Sequence, residues 1–371
     1  MPTTNPFKPT AGAEPPVLIG RDKVIDDFIE GLDDGVGAPA RLMRITGPRG
    51  SGKTVLLTEL GDIARNRGWI VVDETAGPDL LANVARVLRS GSPHGNVSAD
   101  INLGVAQLHA ETSPSDDVTF RETLTRATES PAARKAGVLI TIDEAQDADR
   151  ADMQVIAAAV QHLIREKKNI AMVFAGITTG VLDMINGPSL TFLRRAKSEE
   201  LDSLPVAEVA DAMQLSFEKT GMHIEGETLD RVAAATSGYA FLTQLVGYYV
   251  WRRSAKHRDD AALVLPQDAE KGIEDASREF ESTVLDTALA GLPLRCVEYL
   301  LAMADDDGAS STAEVANRVG LKASTLTSTR RTLISRQVIE PTARGYVRFS
   351  IPRMREYLLA NKEGILARYG K

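Results

Sequence analysis

Residues 47–54 read Gly-Pro-Arg-Gly-Ser-Gly-Lys-Thr, and their types and spacing suit one task, the holding of a polyphosphate. The glycines let successive backbone N–H groups turn inward around an anion. The pattern G-x-x-x-x-G-K-[ST] is that of a phosphate-binding loop. In such a loop Gly47, Pro48, Arg49, Gly50, Ser51, Gly52, Lys53, Thr54 and Val55 would surround the phosphates of ATP. Lys53 would reach the β- and γ-phosphates, and the Thr54 hydroxyl would ligate Mg²⁺. The loop needs a strand before it and a helix after it. The apolar stretch from Leu42 to Ile45 and the helical run from Val55 to Ala64 supply both. The helix N-terminus adds the positive end of a dipole.

A second run, Val138-Leu-Ile-Thr-Ile-Asp143-Glu144, is an apolar strand that ends in two carboxylates. Ligands of open α/β sheets bind at this end of the strands. Asp143 would hold Mg²⁺ through water, and Glu144 would polarise the attacking water as general base. A strand ending in Asp-Glu says little alone. The loop upstream and the helix downstream give it meaning.

These residues must be carried by a sheet. Strands are expected at Arg41–Thr46, Trp69–Asp73, Val138–Asp143 and Ile170–Gly176, with a short one at Glu200–Ser203, and helices between them. That alternation predicts a parallel α/β sheet of the P-loop NTPase kind. The strands are too continuously apolar for a half-exposed sheet, so helices should cover both faces. Helical patterns alone run from Pro205 to Leu289 and predict an α-helical lid. The expected divisions are an extended Pro-, Thr- and Ala-rich arm at 1–16, an α/β core at 17–204, the lid at 205–290 and a C-terminal unit at 291–371. Residues 95–110 partly alternate in polarity, and an inserted β-hairpin and a polar loop fit them equally.

Composition sets bounds on function. The chain has 371 residues, 43% hydrophobic and 25% charged, as expected of a soluble globular protein of two or three domains. No apolar run reaches the roughly 18–20 residues of a membrane span, and the N-terminus lacks a basic-then-apolar leader. A cytoplasmic protein is the expectation. One cysteine, Cys296, excludes an internal disulfide framework, and it sits in an apolar helical pattern that suits a buried thiol. His94, His109, His162, His223 and His257 are scattered without metal-ligand spacing, so magnesium is the only metal implied.

The residues Leu-Ile-Gly-Arg at 18–21, the phosphate loop, the IDEAQ run at 142–146 and the TSGYAFLTQL run at 236–245 resemble AAA+ ATPases of the origin-recognition-like branch. The arm NPFKPTAGAEPP at 5–16 and the Gly68-Trp69 pair are similar to a group of bacterial ATP-binding proteins within it. The resemblance implies roles at particular positions. Ile19, Gly20 and Arg21 would pack on the adenine. Thr178 would be a polar sensor of the lytic water, or else an ordinary helix cap. Arg194 and Arg195 match the place of an arginine finger offered to a neighbouring subunit, or else close a helix as a basic pair. One departure stands out. After Gly238 no arginine occurs until Arg252, so the lid lacks the second sensor that many relatives of this kind carry. That pulls the chain toward the signalling ATPases called STAND, which bind nucleotide tightly and hydrolyse slowly.

The net charge of −8 argues against a chain that coats nucleic acid along its length, but the charge is uneven. Residues 291–371 hold 13 Lys and Arg against 8 Asp and Glu, and residues 322–355 hold eight against one. Helices are expected at Leu294–Met303, Ala313–Val319 and Ala323–Arg336, followed by strands at Gln337–Pro341 and Gly345–Ser350. This is the order of a winged helix-turn-helix. Ser324, Thr325, Arg330 and Arg331 would lie on the reading helix, with Arg344 at the wing tip and Arg348 beyond it. The leading expectation is therefore an ATP-hydrolysing switch that binds double-stranded DNA. The alternatives are a signalling or defence ATPase whose lid and C-terminal unit hold a protein partner or self-associate, and a loader of a partner enzyme onto DNA.

Overall fold

The computed structural model describes residues 4–10, 18–90, 114–130, 133, 136–187, 189–257 and 263–369. The alternating stretch at 95–110 lies outside them. Two compact units divide the chain: Gly20–Gly47 with Gly52–Asp202, and Met1–Ile19 with Pro48–Ser51 and Ser203–Lys371.

The first unit is built on five parallel strands, β1 (Leu42–Thr46), β2 (Ile70–Thr75), β3 (Val138–Asp143), β4 (Ile170–Gly176) and β5 (Lys197–Glu200), in the order β2-β3-β4-β1-β5. Side chains alternate between the faces of a strand. Met43, Ile45, Val71, Leu139, Val173 and Ala175 therefore face α1 (Asp22–Asp34) and α2 (Lys53–Asn66). Leu42, Ile70, Val72, Ile140, Met172 and Phe174 face the other way. Their partners are α3 (Leu80–Ser90), α4 (Pro114–Glu129), α5 (Arg150–Arg165) and α6 (Thr178–Ile185). Both faces are covered, as the apolar strands require.

The fifth strand corrects the sequence expectation, which set it at Glu200–Ser203. Its residues are Lys-Ser-Glu-Glu, paired in register from Met43↔Lys197 to Thr46↔Glu200. An edge strand needs no apolar run, and charge there blunts pairing with other chains. Lys197 ion-pairs with Asp27 and, at 3.2 Å, with Glu199. The apolar Leu201 that draws the eye lies just past the strand, where its N–H donates to the Thr46 carbonyl at 2.7 Å.

The second unit is mainly helical. It runs through α7 (Val206–Glu218), α8 (Gly226–Ala234), α9 (Ala240–Ser254), α10 (Pro266–Phe280), α11 (Asp286–Leu289) and α12 (Leu294–Met303). Then come β6 (Ser310–Ser311), α13 (Thr312–Val319), α14 (Thr327–Ser335), β7 (Ile339–Ala343), β8 (Tyr346–Phe349), α15 (Met354–Ala360) and α16 (Lys362–Ala367). Strands β6, β8 and β7 form an antiparallel sheet in that order. One apolar core joins residues from Val209 to Ile365, and Phe7 of the N-terminal arm is buried in it. The Phe7 ring packs 5.2 Å from that of Phe217, and a Cβ at Gly247 would strike it.

Two further boundaries differ from expectation. The helix predicted at Ala323–Arg336 begins at Thr327, because residues 323–326 form a turn that buries Leu326. Ser324 and Thr325 thus precede the helix and are exposed. The hairpin strands start later than Gln337 and Gly345. Gln337 takes a left-handed φ of +58° and its N–H closes on Ile334, so pairing cannot begin before Ile339.

Candidate nucleotide site

The phosphate loop follows β1, the strand between β4 and β5. Gly50 and Gly52 have φ of +71° and +91°. Only glycine adopts these values without strain, and they turn the chain into α2. The Lys53 side chain is buried, and its Nζ donates to the Gly47 carbonyl at 3.0 Å, across the mouth of the loop. Thr54 is exposed in the first turn of α2.

The sheet order brings the carboxylates to this loop. Thr54 Oγ1 donates to Asp143 Oδ2 at 2.5 Å, across 89 residues of sequence. The other Asp143 oxygen accepts from the Glu144 N–H at 2.9 Å. A hydroxyl and a carboxylate so placed are hard oxygen donors of the kind that Mg²⁺ prefers. Among the described residues no group of three or more His, Cys, Asp or Glu could hold a metal. Glu144 takes a left-handed φ of +49°. Such a conformation costs a non-glycine residue on the order of 1–3 kcal/mol and persists where surrounding contacts impose it.

Strand β4 lies between β3 and β1, so its C-terminal end stands between the loop and the carboxylates. Thr178 begins α6 there. Its hydroxyl points to Glu200 Oε1 at 3.5 Å, a long contact, and Ile177 rather than Thr178 occupies the cap position.

The two arginines of the pair differ in their partners. Arg194 donates to the carbonyls of Ile185 at 2.9 Å and Asn186 at 2.7 Å, which close the end of α6. Both arginines are exposed, and Arg195 makes no hydrogen bond or ion pair among the described residues. Arg21 donates to the Asp202 carbonyl at 3.3 Å, Gly20 turns with φ of +61°, and Ile19 packs against the core of the second unit.

Two residues escape the sequence reading. In the second unit, the Tyr239 hydroxyl donates to the Arg49 carbonyl at 2.5 Å, and the Phe241 N–H donates to the Gly50 carbonyl at 3.2 Å. Burial pushes the Tyr239 phenol up to about 12, with Arg49 opposing, so it remains a donor through neutral pH. The other is Gln146, whose amide touches both Glu144 and the end of β4. Its only trace in the sequence is its place in the IDEAQ run.

The C-terminal basic residues divide as well. Arg331 and Arg344 are exposed, Arg330 is half-buried, and Arg348 is paired with Glu340 at 2.6 Å.

Comparison with known proteins agrees with this geometry. Residues 17–173 match the family described as AAA ATPase domain, and residues 283–358 match a domain of unknown function, DUF8462. No curated protein matches the sequence. Several solved structures share the fold. The ORC2 protein of Aeropyrum pernix, in ADPNP–ADP complexes, is 13% identical with a TM-score of 0.61 over 98% of each chain. A Walker-type ATPase of Pyrococcus abyssi is 14% identical with a TM-score of 0.63, over 92% of this chain and 96% of that one. The RuvB Holliday junction branch migration motor of Thermotoga maritima is 16% identical with a TM-score of 0.50, over 92% and 95%.

The fold is thus that of a P-loop NTPase, shared with these structures, and its nucleotide-site half is the part that matches the AAA ATPase domain model. No helix among the described residues is long and apolar enough to cross a membrane.

Proposed function

We propose that this protein is a nucleotide switch that binds Mg-ATP in the 47–54 loop, hydrolyses it slowly and binds DNA through residues 291–371. The observation that carries the first part is the 2.5 Å contact between Thr54 and Asp143, with Glu144 next in the chain. The loop N–H groups and Lys53 bind and orient the phosphates. Thr54 and Asp143 would hold Mg²⁺, which supplies positive charge against the β- and γ-phosphates. Glu144 accepts the proton of the attacking water at its carboxylate. Thr178, at the end of β4, helps orient that water. Ile19, Gly20 and Arg21 form the segment for the base. Of the arginine pair, Arg195 is the one free to reach a neighbouring subunit, since Arg194 is committed to α6.

What supports the DNA reading is the element order, helix α13, helix α14 and the β7–β8 hairpin, with Arg331 and Arg344 exposed. Arg331 suits a base edge from α14, and Arg344 suits a phosphate from the wing. Arg330 and Arg348 contribute less, being half-buried and ion-paired. Ser324 and Thr325 would touch the backbone from the turn before α14. A second reading draws on Tyr346, an exposed aromatic on β8 beside the Arg348–Glu340 pair. A neutralised wing with an exposed ring suits a protein partner, as in a signalling ATPase or a loader.

The test is a set of titrations on the full chain. Lys53→Ala should weaken Mg-ATP binding by roughly 10–150-fold, the loss of a charged hydrogen-bond set worth about 1.5–3 kcal/mol. Glu144→Gln should keep binding and lose turnover at least about 100-fold. Duplex DNA should bind more weakly as salt rises, with Arg344→Ala lowering the salt slope by about one. Equal ATP affinity in Lys53→Ala sinks the site. Indifference to DNA at low salt in every nucleotide state transfers the C-terminal unit to the protein-partner reading.

A further inference from the structure

We infer that Gln146 is a positioning residue for Glu144, whose side-chain amide holds the carboxylate and ties it to the end of β4. The inference rests on the proposed role of Glu144 as base. Gln146 lies in the single turn Ala145–Asp147 that follows the two carboxylates. Its Nε2 donates to Glu144 Oε2 at 2.7 Å and reaches Asp147 Oδ2 at 3.4 Å. Its Oε1 accepts from the Ile177 N–H at 3.0 Å.

The orientation of the amide follows from chemistry. A backbone N–H can only donate and a carboxylate can only accept. The oxygen must therefore face Ile177 and the NH₂ group must face Glu144. The reverse orientation would set donor against donor and acceptor against acceptor.

The backbone also makes room for this one side chain. A Cβ at Gly180 would stand 2.7 Å from Gln146 Cβ, and one at Gly176 would strike Gln146 Oε1. Two glycines, one on each side of Ile177, thus frame a slot that Gln146 fills. The residue after Ile177 is Thr178. A single amide therefore links the carboxylate proposed to take the water's proton to the segment proposed to orient that water. A carboxylate on a short side chain swings freely about its own bonds. One directional donor fixed at its far end removes much of that freedom before ATP binds.

The competing account makes Gln146 a prop that fills the slot and satisfies Ile177. Gln146→Glu separates the two, because it keeps the size and the oxygen facing Ile177 but replaces the donor to Glu144 with an acceptor. The experiment measures Mg-ATP affinity with a fluorescent ATP analogue, kcat at saturating Mg-ATP, and thermal melting. The full-length variants are Gln146→Glu, Gln146→Leu, Glu144→Gln and the Glu144→Gln/Gln146→Leu double. Both Gln146 changes should lower kcat about tenfold or more, since small misplacements of a reacting group have effects of this size. Affinity should stay within about twofold. In the Glu144→Gln background the Leu change should cost nothing further, as expected of residues that act as a unit.

Wild-type kcat in Gln146→Glu, or an additive loss in the double variant, overturns the inference and leaves Gln146 a prop. If Gln146→Leu does not fold, Gln146→Glu decides alone. If Glu144→Gln turns over at the wild-type rate, or the wild type itself does not hydrolyse ATP, the reading of Glu144 falls and this inference with it.

Discussion

Gly50 shows how tightly single residues are held at the phosphate loop. Its φ of +71° lies where a side chain meets its own backbone, at a cost of roughly 1–2 kcal/mol. A Cβ there would also strike the Tyr239 hydroxyl and lie 2.7 Å from its ring carbon Cζ. Gly50→Ala should therefore break the Tyr239–Arg49 hydrogen bond and weaken Mg-ATP binding, while the sheet survives. Tyr239→Phe removes the same hydrogen bond without straining the loop. It should lower the melting temperature by no more than a net hydrogen bond of about 0.5–1.5 kcal/mol allows. Calorimetric titration with Mg-ATP and a melting curve on both variants separate the two effects. Equal ATP affinity in Gly50→Ala and wild type would mean that the loop adopts another shape when it binds.

Elements are stapled by residues far from the site. The arm has no regular structure at residues 4–10, yet Asn5 Nδ2 donates to the Tyr248 carbonyl at 3.0 Å and Phe7 is 1% exposed. Phe7→Ala should destabilise the second unit by about 3–5 kcal/mol, the usual cost of emptying an aromatic site, as read from urea unfolding. A change below about 1 kcal/mol would mean that the arm is a passive appendage. Farther along, Tyr357 on α15 donates to Asp286 Oδ1 on α11 at 2.7 Å, and Arg368 pairs with the same oxygen at 2.9 Å. The Tyr357 hydrogen bond first, then Arg368, holds the Asp286 carboxyl below the usual range. A depressed carboxyl contributes stability that is present above its ordinary value near 4 and is lost as pH falls through the lowered value. Tyr357→Phe should therefore cost about 0.5–1.5 kcal/mol at neutral pH. That difference should shrink in acid, as Asp286 protonates in both proteins. A cost independent of pH down to about 2 would assign it to ring packing.

At the scale of the molecule the open question is assembly. Arg194 closes α6, whereas Arg195, in the segment before β5, has no hydrogen-bond or ion-pair partner among the described residues. If Arg195 serves a neighbour, turnover per subunit should rise with protein concentration. Mixing Arg195→Ala with Glu144→Gln should then restore turnover, because each variant supplies what the other lacks. Arg194→Ala should instead destabilise the first unit and give no such complementation. A rate independent of concentration, with no recovery on mixing, would leave Arg195 without a catalytic role.

Much of this protein is set down locally in its sequence. The 47–54 loop could be read because eight consecutive residues contain all of its geometry. Asp143 and Glu144 could be read because a continuous apolar strand announces the two carboxylates at its end. Four of the five strands could be read from their apolar runs, since strands covered on both faces carry near-continuous hydrophobic stretches. Sheet order and chain crossings decided the rest, and neither is a local property. The fifth strand, Lys-Ser-Glu-Glu at an edge where no apolar run is required, carries no pattern that marks it. Gln146 meets Ile177 only because β4 lies beside β3, and the two residues are 31 positions apart. Arg194 and Arg195 are alike in sequence. Both are exposed, but the turn that ends α6 engages only the first with its carbonyls. Phe7 lies in a Pro-rich arm whose composition suggests no core, yet the gap above Gly247, 240 positions later, has the space for a ring. Backbone propensity and short spacing act within a few residues and can be read in order. Burial and hydrogen-bond partnership depend on which distant segments meet, and only the folded chain brings them together.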